Sequence, residues 1–179
     1  MKLFLFMGEA GAGKDTAAAY AKEILEQDGK RVLVTHYADL VKYICRQFFG
    51  WNGEKDEAGR TLLQTVGTDV VRKKYPDYWV NFILTMLDLF PDEWDVVLIP
   101  DARFENECEL PREHGFDTTV VRIERPFLKS ALTEEQKRHP SETSLKGYTP
   151  DYTIVNYESD DGGKTGLEGA LKIIFKECL

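Results

Sequence analysis

Five short apolar runs divide the chain, and between them apolar residues recur at helical spacing. Residues 2–7 are continuous and apolar, as a buried strand is, and the run stops at a glycine. Ala18, Ala21, Ile24 and Leu25 share one face of a helix predicted over 15–27, with Gly29 as its stop. A second strand is predicted at 31–35. Leu40, Val41, Ile44, Cys45, Phe48 and Phe49 then follow helical spacing, with Asp39 placed to cap them, until Gly50-Trp51-Asn52-Gly53 breaks the pattern. After a charged loop to Arg60, Leu62, Leu63, Val66 and Val70 suggest a helix weakened at Gly67. Asp77 opens another, with Trp79, Val80, Ile83, Leu84 and Leu87 inward and Pro91 ending it. The third strand, 95–99, stops at Pro100-Asp101. A helix over 104–114 is interrupted at Pro111 and ended by Gly115. Strands at 118–124 and 152–156 follow, then a Gly/Asp-rich turn and a last helix with Leu167, Leu171, Ile174 and Phe175 on one face.

Short apolar strands alternating with helices imply a five-stranded parallel sheet covered on both faces, an α/β three-layer architecture with right-handed crossovers. One domain over 1–179 is the simplest organisation. Two stretches leave the sheet, about 50–78 and 126–150. The second is polar, bounded by Pro126, Pro140 and Pro150, and carries Lys129, Lys137, Arg138, His139 and Ser141-Glu142; it reads as a closing lid or as a solvent loop. In such sheets ligands sit at the carboxyl ends of the strands, so chemistry is expected at 8–16, 36–42, 101–105, from Arg125 onward and at Asn156.

The first of these places is the most informative. Gly8-Glu9-Ala10-Gly11-Ala12-Gly13-Lys14-Asp15-Thr16 lies between a strand and a helix, the setting of a phosphate-binding loop. Its glycines let successive N–H groups face one anion, the helix adds its positive end, and Lys14 supplies a cation for the β and γ phosphates. Where the motif has Ser or Thr after the lysine, this chain has Asp15, with Thr16 next. A carboxylate there binds Mg²⁺ directly or through water.

Composition narrows the partners. The 42% hydrophobic and 30% charged fractions are those of a globular protein, and a net charge of −8 without a basic block argues against holding long nucleic acid. A local basic pocket for one nucleotide remains compatible with that charge. Cys45, Cys108 and Cys178 have neither metal spacing nor a disulfide pattern, which points to a reducing compartment. The N-terminal apolar run is too short for a signal peptide and no stretch is long enough to span a membrane, so a cytoplasmic location is expected.

Other strand ends offer candidates with two readings each. Asp101 either holds a magnesium-bound water or caps the next helix. Arg103 takes a phosphate in its fork or pairs with Glu105 or Glu107. Asp39 and Lys42 stand where an acceptor would enter, Asp39 being also a helix cap. Arg60, Gln64 and Arg72 fall on one predicted helix, where Arg60 and Gln64, four apart, can read a base edge or phosphate or form a solvated face. Trp79 reads as core. Arg125 and Arg138 could reach transferring phosphoryl oxygens on lid closure.

Gly-Lys-Asp-Thr at 13–16, Tyr-Ala-Asp-Leu-Val-Lys at 37–42, Leu-Gln-Thr-Val-Gly-Thr at 63–68, Tyr-Trp-Val at 78–80, Pro-Asp-Ala-Arg-Phe-Glu-Asn-Glu at 100–107 and His-Pro-Ser-Glu at 139–142 occur in that order. Together they resemble the phage-type deoxynucleoside monophosphate kinases, within the wider P-loop kinase group that includes dephospho-coenzyme A kinase. The resemblance runs from about Lys2 to Asn156, and Leu40 stands where the family usually has proline. It implies ATP as donor, Mg²⁺ as cofactor and a deoxynucleoside monophosphate as acceptor, with the diphosphate as product. The residues then sort into ATP-binding Gly8, Ala10, Gly11, Ala12, Gly13, Lys14, Asp15 and Thr16, and metal-binding Asp15, Thr16 and Asp101. Acceptor-binding candidates are Asp39, Lys42, Arg60, Gln64, Arg72, Arg103 and Glu105; catalytic candidates are Lys14, Arg103, Arg125 and Arg138. The alternatives are a P-loop kinase of another small molecule, such as a coenzyme precursor, and a nucleotide-gated binding module. A monomer and a homodimer are both compatible with the sequence.

Overall fold

The computed structural model describes residues 1–126, 131–157 and 164–179. Lys129 and the Gly/Asp-rich turn before the last helix lie outside the described residues.

The five expected strands form one sheet, β1 (Lys2–Met7), β2 (Val32–Val34), β3 (Val96–Ala102), β4 (Asp117–Glu124) and β5 (Tyr152–Val155). All pairings are parallel, in the order β2-β3-β1-β4-β5. The helices are α1 (Lys14–Gln27), α2 (Asp39–Phe49), α3 (Glu57–Gln64), α4 (Tyr78–Leu89), α5 (Glu105–Glu113), α6 (Glu134–Arg138), α7 (Pro140–Thr143) and α8 (Lys164–Cys178), and a π-helix spans Thr65–Arg72. Strand residues alternate between two cores because successive side chains point to opposite faces. Phe4, Phe6, Leu98, Val121 and Ile123 pack against α1 and α8. Leu3, Leu5, Val97, Ile99 and Val120 pack against α2, α4 and α5.

Several local expectations are corrected. β3 does not stop at Pro100 but runs to Ala102, with Asp101 inside it. Pro100 has no N–H for the ladder; the β1–β3 register shifts between Leu5 and Met7, and pairing resumes at Met7–Ala102. Asp39 is in the first turn of α2, whose cap position is Ala38, and its carboxylate turns back to the His36 N–H. Phe48 and Phe49, expected inward, are exposed beside the left-handed Gly50 that ends α2. The helix expected through Val70 becomes a π-helix, and Val70 is exposed while Arg72 is buried. The wider i→i+5 turn breaks the 3.6-residue spacing on which that inward assignment rested.

α5 survives Pro111 in its interior. Proline leaves the Glu107 carbonyl without its helical donor, and the buried Tyr37 hydroxyl donates to that oxygen at 2.8 Å. The described part of 126–150 is packed rather than a solvent loop. Gln136 of α6 is buried and donates to the Glu57 carbonyl (3.2 Å) and Thr61 Oγ1 (3.3 Å), while Leu145 belongs to the core.

Candidate active site

The loop between β1 and α1 is shaped by close backbone approach. Gly8 has φ +143°, and a Cβ there would lie 2.2 Å from the Ile123 carbonyl oxygen of β4. A Cβ on Gly13, at φ +103°, would lie 2.7 Å from Asn156 Nδ2. Asn156 just after β5 is buried, donates from Nδ2 to the Ala12 carbonyl at 3.0 Å, and donates its own N–H to Glu124 at 2.7 Å. Two strands thus hold the loop through its backbone. α1 begins at Lys14 with no side-chain cap, so its first N–H groups face the loop without a side-chain acceptor. Lys14 Nζ folds back onto the carbonyls of Gly8 and Glu9, at 2.8 Å each. Burial, then the neighbouring Arg103 charge, lowers its pKa to about 8.

A cavity of about 290 Å³ opens on one side of this loop. Lys14, Asp15, His36, Lys42, Arg60, Gln64, Arg72, Asp101 and Arg103 line it, with Leu63, Trp79 and Phe104 as apolar wall. Here the charges are strung together. His36 places Nε2 3.0 Å from Asp15 and Nδ1 3.3 Å from Asp39, and Lys42 donates to Asp39 at 2.8 Å. Burial disfavours the imidazolium, but the two carboxylates overcome it and raise His36 to about 9. The bond to His36 holds Asp15 below the usual carboxylate range. For Asp39, bonds from His36 and Lys42 outweigh burial in the same direction.

A deeper layer supports that wall. Arg72 pairs with buried Glu107, donates to Asn106 Oδ1 at 2.9 Å and to the Pro76 carbonyl at 3.0 Å, and lies 3.9 Å from the centre of the Phe104 ring. Glu107 also accepts the N–H groups of Arg103 (2.6 Å) and Phe104 (3.1 Å). Burial raises its pKa to about 7 against the pull of Arg72 and those donors.

A second cavity, about 380 Å³, lies across Arg103, lined by Gly8, Glu9, Ala12, Arg122, Arg125 and Lys146 among others. Both cavities share Arg103, Ser141 and Glu142. Arg103 pairs with Glu142 and donates to the Ser141 carbonyl at 3.2 Å, so one ion pair forms their common wall. Arg125 reaches the Gly11 carbonyl at 3.5 Å. Arg122 donates to the carbonyls of Leu145 and Tyr148, while its buried Nε has no partner among the described residues.

The candidates therefore divide. Lys14, Asp15, Asp101, Lys42, Arg60, Gln64, Arg72 and Arg103 come together at the first cavity, and Gly8, Ala12 and Arg125 line the second. Asp101 does not cap its own following helix: its two oxygens accept the N–H groups of Tyr37 (2.9 Å) and Ala38 (3.0 Å), fixing the turn into α2. The Arg103 guanidinium pairs with Glu142, not with Glu105 or Glu107; of Arg103, the Glu107 carboxylate meets only the backbone N–H. Arg72 lies on the π-helix, not on the helix of Arg60 and Gln64. Asp39 and Thr16 line neither cavity; Asp39 acts through His36 and Lys42, and Thr16 is exposed. Glu105 is exposed, because two residues along a helix point to opposite sides and Glu107 takes the inward place. The same spacing turns Arg138 to solvent while Gln136 docks inward, and Arg138 lines neither cavity. None of His36, Glu107, Glu142 and Asn156 is among the site candidates drawn from the sequence, where Glu107 stands only as a partner for Arg103 and the others only as positions. His36 and Asn156 stand at strand ends, and Glu142 closes the His-Pro-Ser-Glu segment. Among the described residues no three His, Cys, Asp or Glu side chains are grouped to hold a metal alone.

Three comparisons place this arrangement. Residues 22–161 match the family model described as deoxynucleotide monophosphate kinase. The deoxynucleotide monophosphate kinase of Enterobacteria phage T4 is 31% identical over 125 residues, 69% of this chain but only about half (49%) of the phage protein. A putative deoxynucleotide monophosphate kinase of Acanthamoeba polyphaga mimivirus is 31% identical over 189 aligned residues, covering 87% of this chain and 89% of the relative. The dephospho-CoA kinase from Campylobacter jejuni shares the fold, with a TM-score of 0.54 over 97% of both chains at 14% identity. By the span of the family match and the coverage of its viral relative, the chain belongs to the deoxynucleotide monophosphate kinase family.

Proposed function

We propose that the chain transfers the γ-phosphoryl group of ATP, with Mg²⁺, to a deoxynucleoside monophosphate and releases the diphosphate. One observation carries this reading: Lys14 and Arg103 stand together where a glycine-shaped loop and two cavities converge. Phosphoryl transfer asks a protein mainly to align two anions and neutralise the charge between them. In this reading the loop at 8–16 takes the ATP phosphates, and Lys14 leaves the Gly8 and Glu9 carbonyls to meet them. Lys42 and Arg60 receive the acceptor phosphate, Gln64 meets the base, and Arg103 serves both ligands. Arg125 and the described residues of 131–150 complete the cover and exclude water, which would otherwise accept the phosphoryl group.

The donor set suits magnesium that arrives with the nucleotide. Mg²⁺ is commonly held by one or two carboxylates, waters and substrate phosphates, and Asp15 and Asp101, which line the first cavity with Lys14, are the carboxylates that would hold it, directly or through water. Bound there, the ion would neutralise charge on the transferring phosphate. No side chain need act as base, since an acceptor phosphate is ionised at neutral pH.

The test is a panel of deoxynucleoside monophosphates with ATP and Mg²⁺, read by coupled ADP release and by detection of the diphosphate. Turnover with at least one deoxynucleotide and none without acceptor is the expected result. Turnover only with a coenzyme precursor, or slow ATP loss indifferent to every acceptor, would reject it.

A further inference from the structure

The two excursions from the sheet meet at one side chain. Gln64 ends α3 and lines the first cavity. A carboxamide can present either a donor or an acceptor to a base, and a half-turn about its last bond exchanges the two. Left unheld it would select neither edge. What it presents is set by whatever fixes it, and Ser141 of α7 stands there, with Oγ 3.5 Å from Gln64 Nε2, at the long end of a hydrogen bond. Gln136 of α6 clamps the preceding turn of α3, through the Glu57 carbonyl and Thr61 Oγ1, so helix and serine keep their register.

The order of hydrogens can be followed inward from the backbone. The Ser141 N–H can only donate, and it donates to His139 Nδ1 at 3.2 Å. Nδ1 therefore carries no proton, and the ring proton sits on Nε2, 3.4 Å from Asp69 Oδ1 on the π-helix. Ser141 Oγ lies 2.9 Å from the same bare Nδ1. Its own hydrogen must point there, since two lone pairs at that distance would repel. With that hydrogen committed, Oγ can meet Gln64 only as an acceptor. The amide must turn its NH₂ to the serine, and Oε1 is the atom it has left for a ligand. Among the described residues the Gln64 side chain makes no other hydrogen bond.

We infer that His139 and Ser141 are positioning residues for base selection: anchored on Asp69, they fix the Gln64 amide so that its carbonyl oxygen, not its NH₂, meets the acceptor. The acceptor base must then offer an N–H on the edge it turns to α3, and a lone pair placed there is rejected. The inference rests on the proposed reading of the first cavity as the acceptor site, and adds to it the side chains that decide how Gln64 reads.

The test is kcat/KM for each deoxynucleoside monophosphate, in the full chain and in variants along this line. The wild type should favour some bases over others. Ser141→Ala removes the hydroxyl but keeps the backbone carbonyl to which Arg103 donates, so the wall between the cavities stands. It should narrow the ratio between best and worst acceptor by about tenfold, the scale of one hydrogen bond. Gln64→Ala should narrow the ratio as well, and Ser141→Ala added to it should narrow it no further, because the serine acts through the amide. A purely structural serine would instead give additive losses. NMR of isotope-labelled histidine ring nitrogens, at mildly alkaline pH, should find the His139 proton on Nε2. A wild type that turns over deoxynucleotides but is indifferent to the base, a ratio unmoved by Ser141→Ala, additive losses in the double variant, or a proton on Nδ1 would each overturn the inference alone. A wild type with no turnover on any deoxynucleotide would overturn it together with the reading on which it rests.

Discussion

The two sides of the site are built by opposite means. The loop at 8–16 is held by backbone: glycines pressed against β4 and Asn156, and a lysine resting on two carbonyls. The wall across from it is held by side chains, with Arg72 buried against Glu107 and Arg103 closed onto Glu142. A backbone cradle accepts loss of its lysine without collapse, because little else leans on that ammonium. A wall of buried charges does not, because each partner removed leaves the other in a medium that disfavours it. The same kind of residue, a buried cation, is therefore expected to serve activity on one side and folding on the other.

Lys14→Met gives the largest effect and tests the first half of this contrast. Turnover should fall by ~10³-fold or more, as expected for a lost phosphate-stabilising cation, with the thermal midpoint little changed. A comparable loss of stability would show that the loop, too, depends on its side chain. Arg72→Met comes next. It should lower unfolding free energy in denaturant by about 3 kcal/mol by leaving Glu107 uncompensated. A stable variant with collapsed turnover would move Arg72 from the scaffold to the chemistry.

His36 sharpens the boundary between the halves, since it ties Asp15 of α1 to Asp39 of α2. Its pKa is raised from 6.5 to about 9 in the folded chain. A raised folded value means that its stabilisation is complete below pH 6.5 and is lost as pH climbs through 9. His36→Gln should therefore be less stable than the parent at low pH and converge with it at high pH. Melts across that window check this, and parallel curves would remove the imidazolium from the account. Arg138→Ala should have the smallest effect, leaving kcat within about twofold, because its side chain faces solvent. A large drop would mean that α6 turns on ligand binding.

The strands and the loop were legible because each is specified by neighbouring residues. A continuous apolar run marks a strand in a covered parallel sheet, and glycines followed by Gly-Lys mark the cradle. The inward face of α4 was legible for the same reason. The wall was not. Arg72 and Glu107 are 35 positions apart, Arg103 and Glu142 39, and nothing local says which carboxylate meets which guanidinium. The inward turn of Arg72 further depends on a π-helical segment that 3.6-residue spacing does not describe. Asp101 was recognised as a strand-end acid, but its partners are N–H groups more than sixty residues earlier. His36 lies two residues past the end of β2, where ligands gather, yet its significance comes from Asp15 on another element.

Pro111 has a consequence beyond its own helix. By withholding one proton it leaves a carbonyl in the middle of α5 without its helical donor, and the Tyr37 phenol, from the turn before α2, donates to it. The β2–α2 turn and the fifth helix are thereby latched at a point neither could supply alone. The helix gives up one bond within itself, and the same oxygen makes one between two elements instead. In this chain the proline is better understood as a socket than as a flaw.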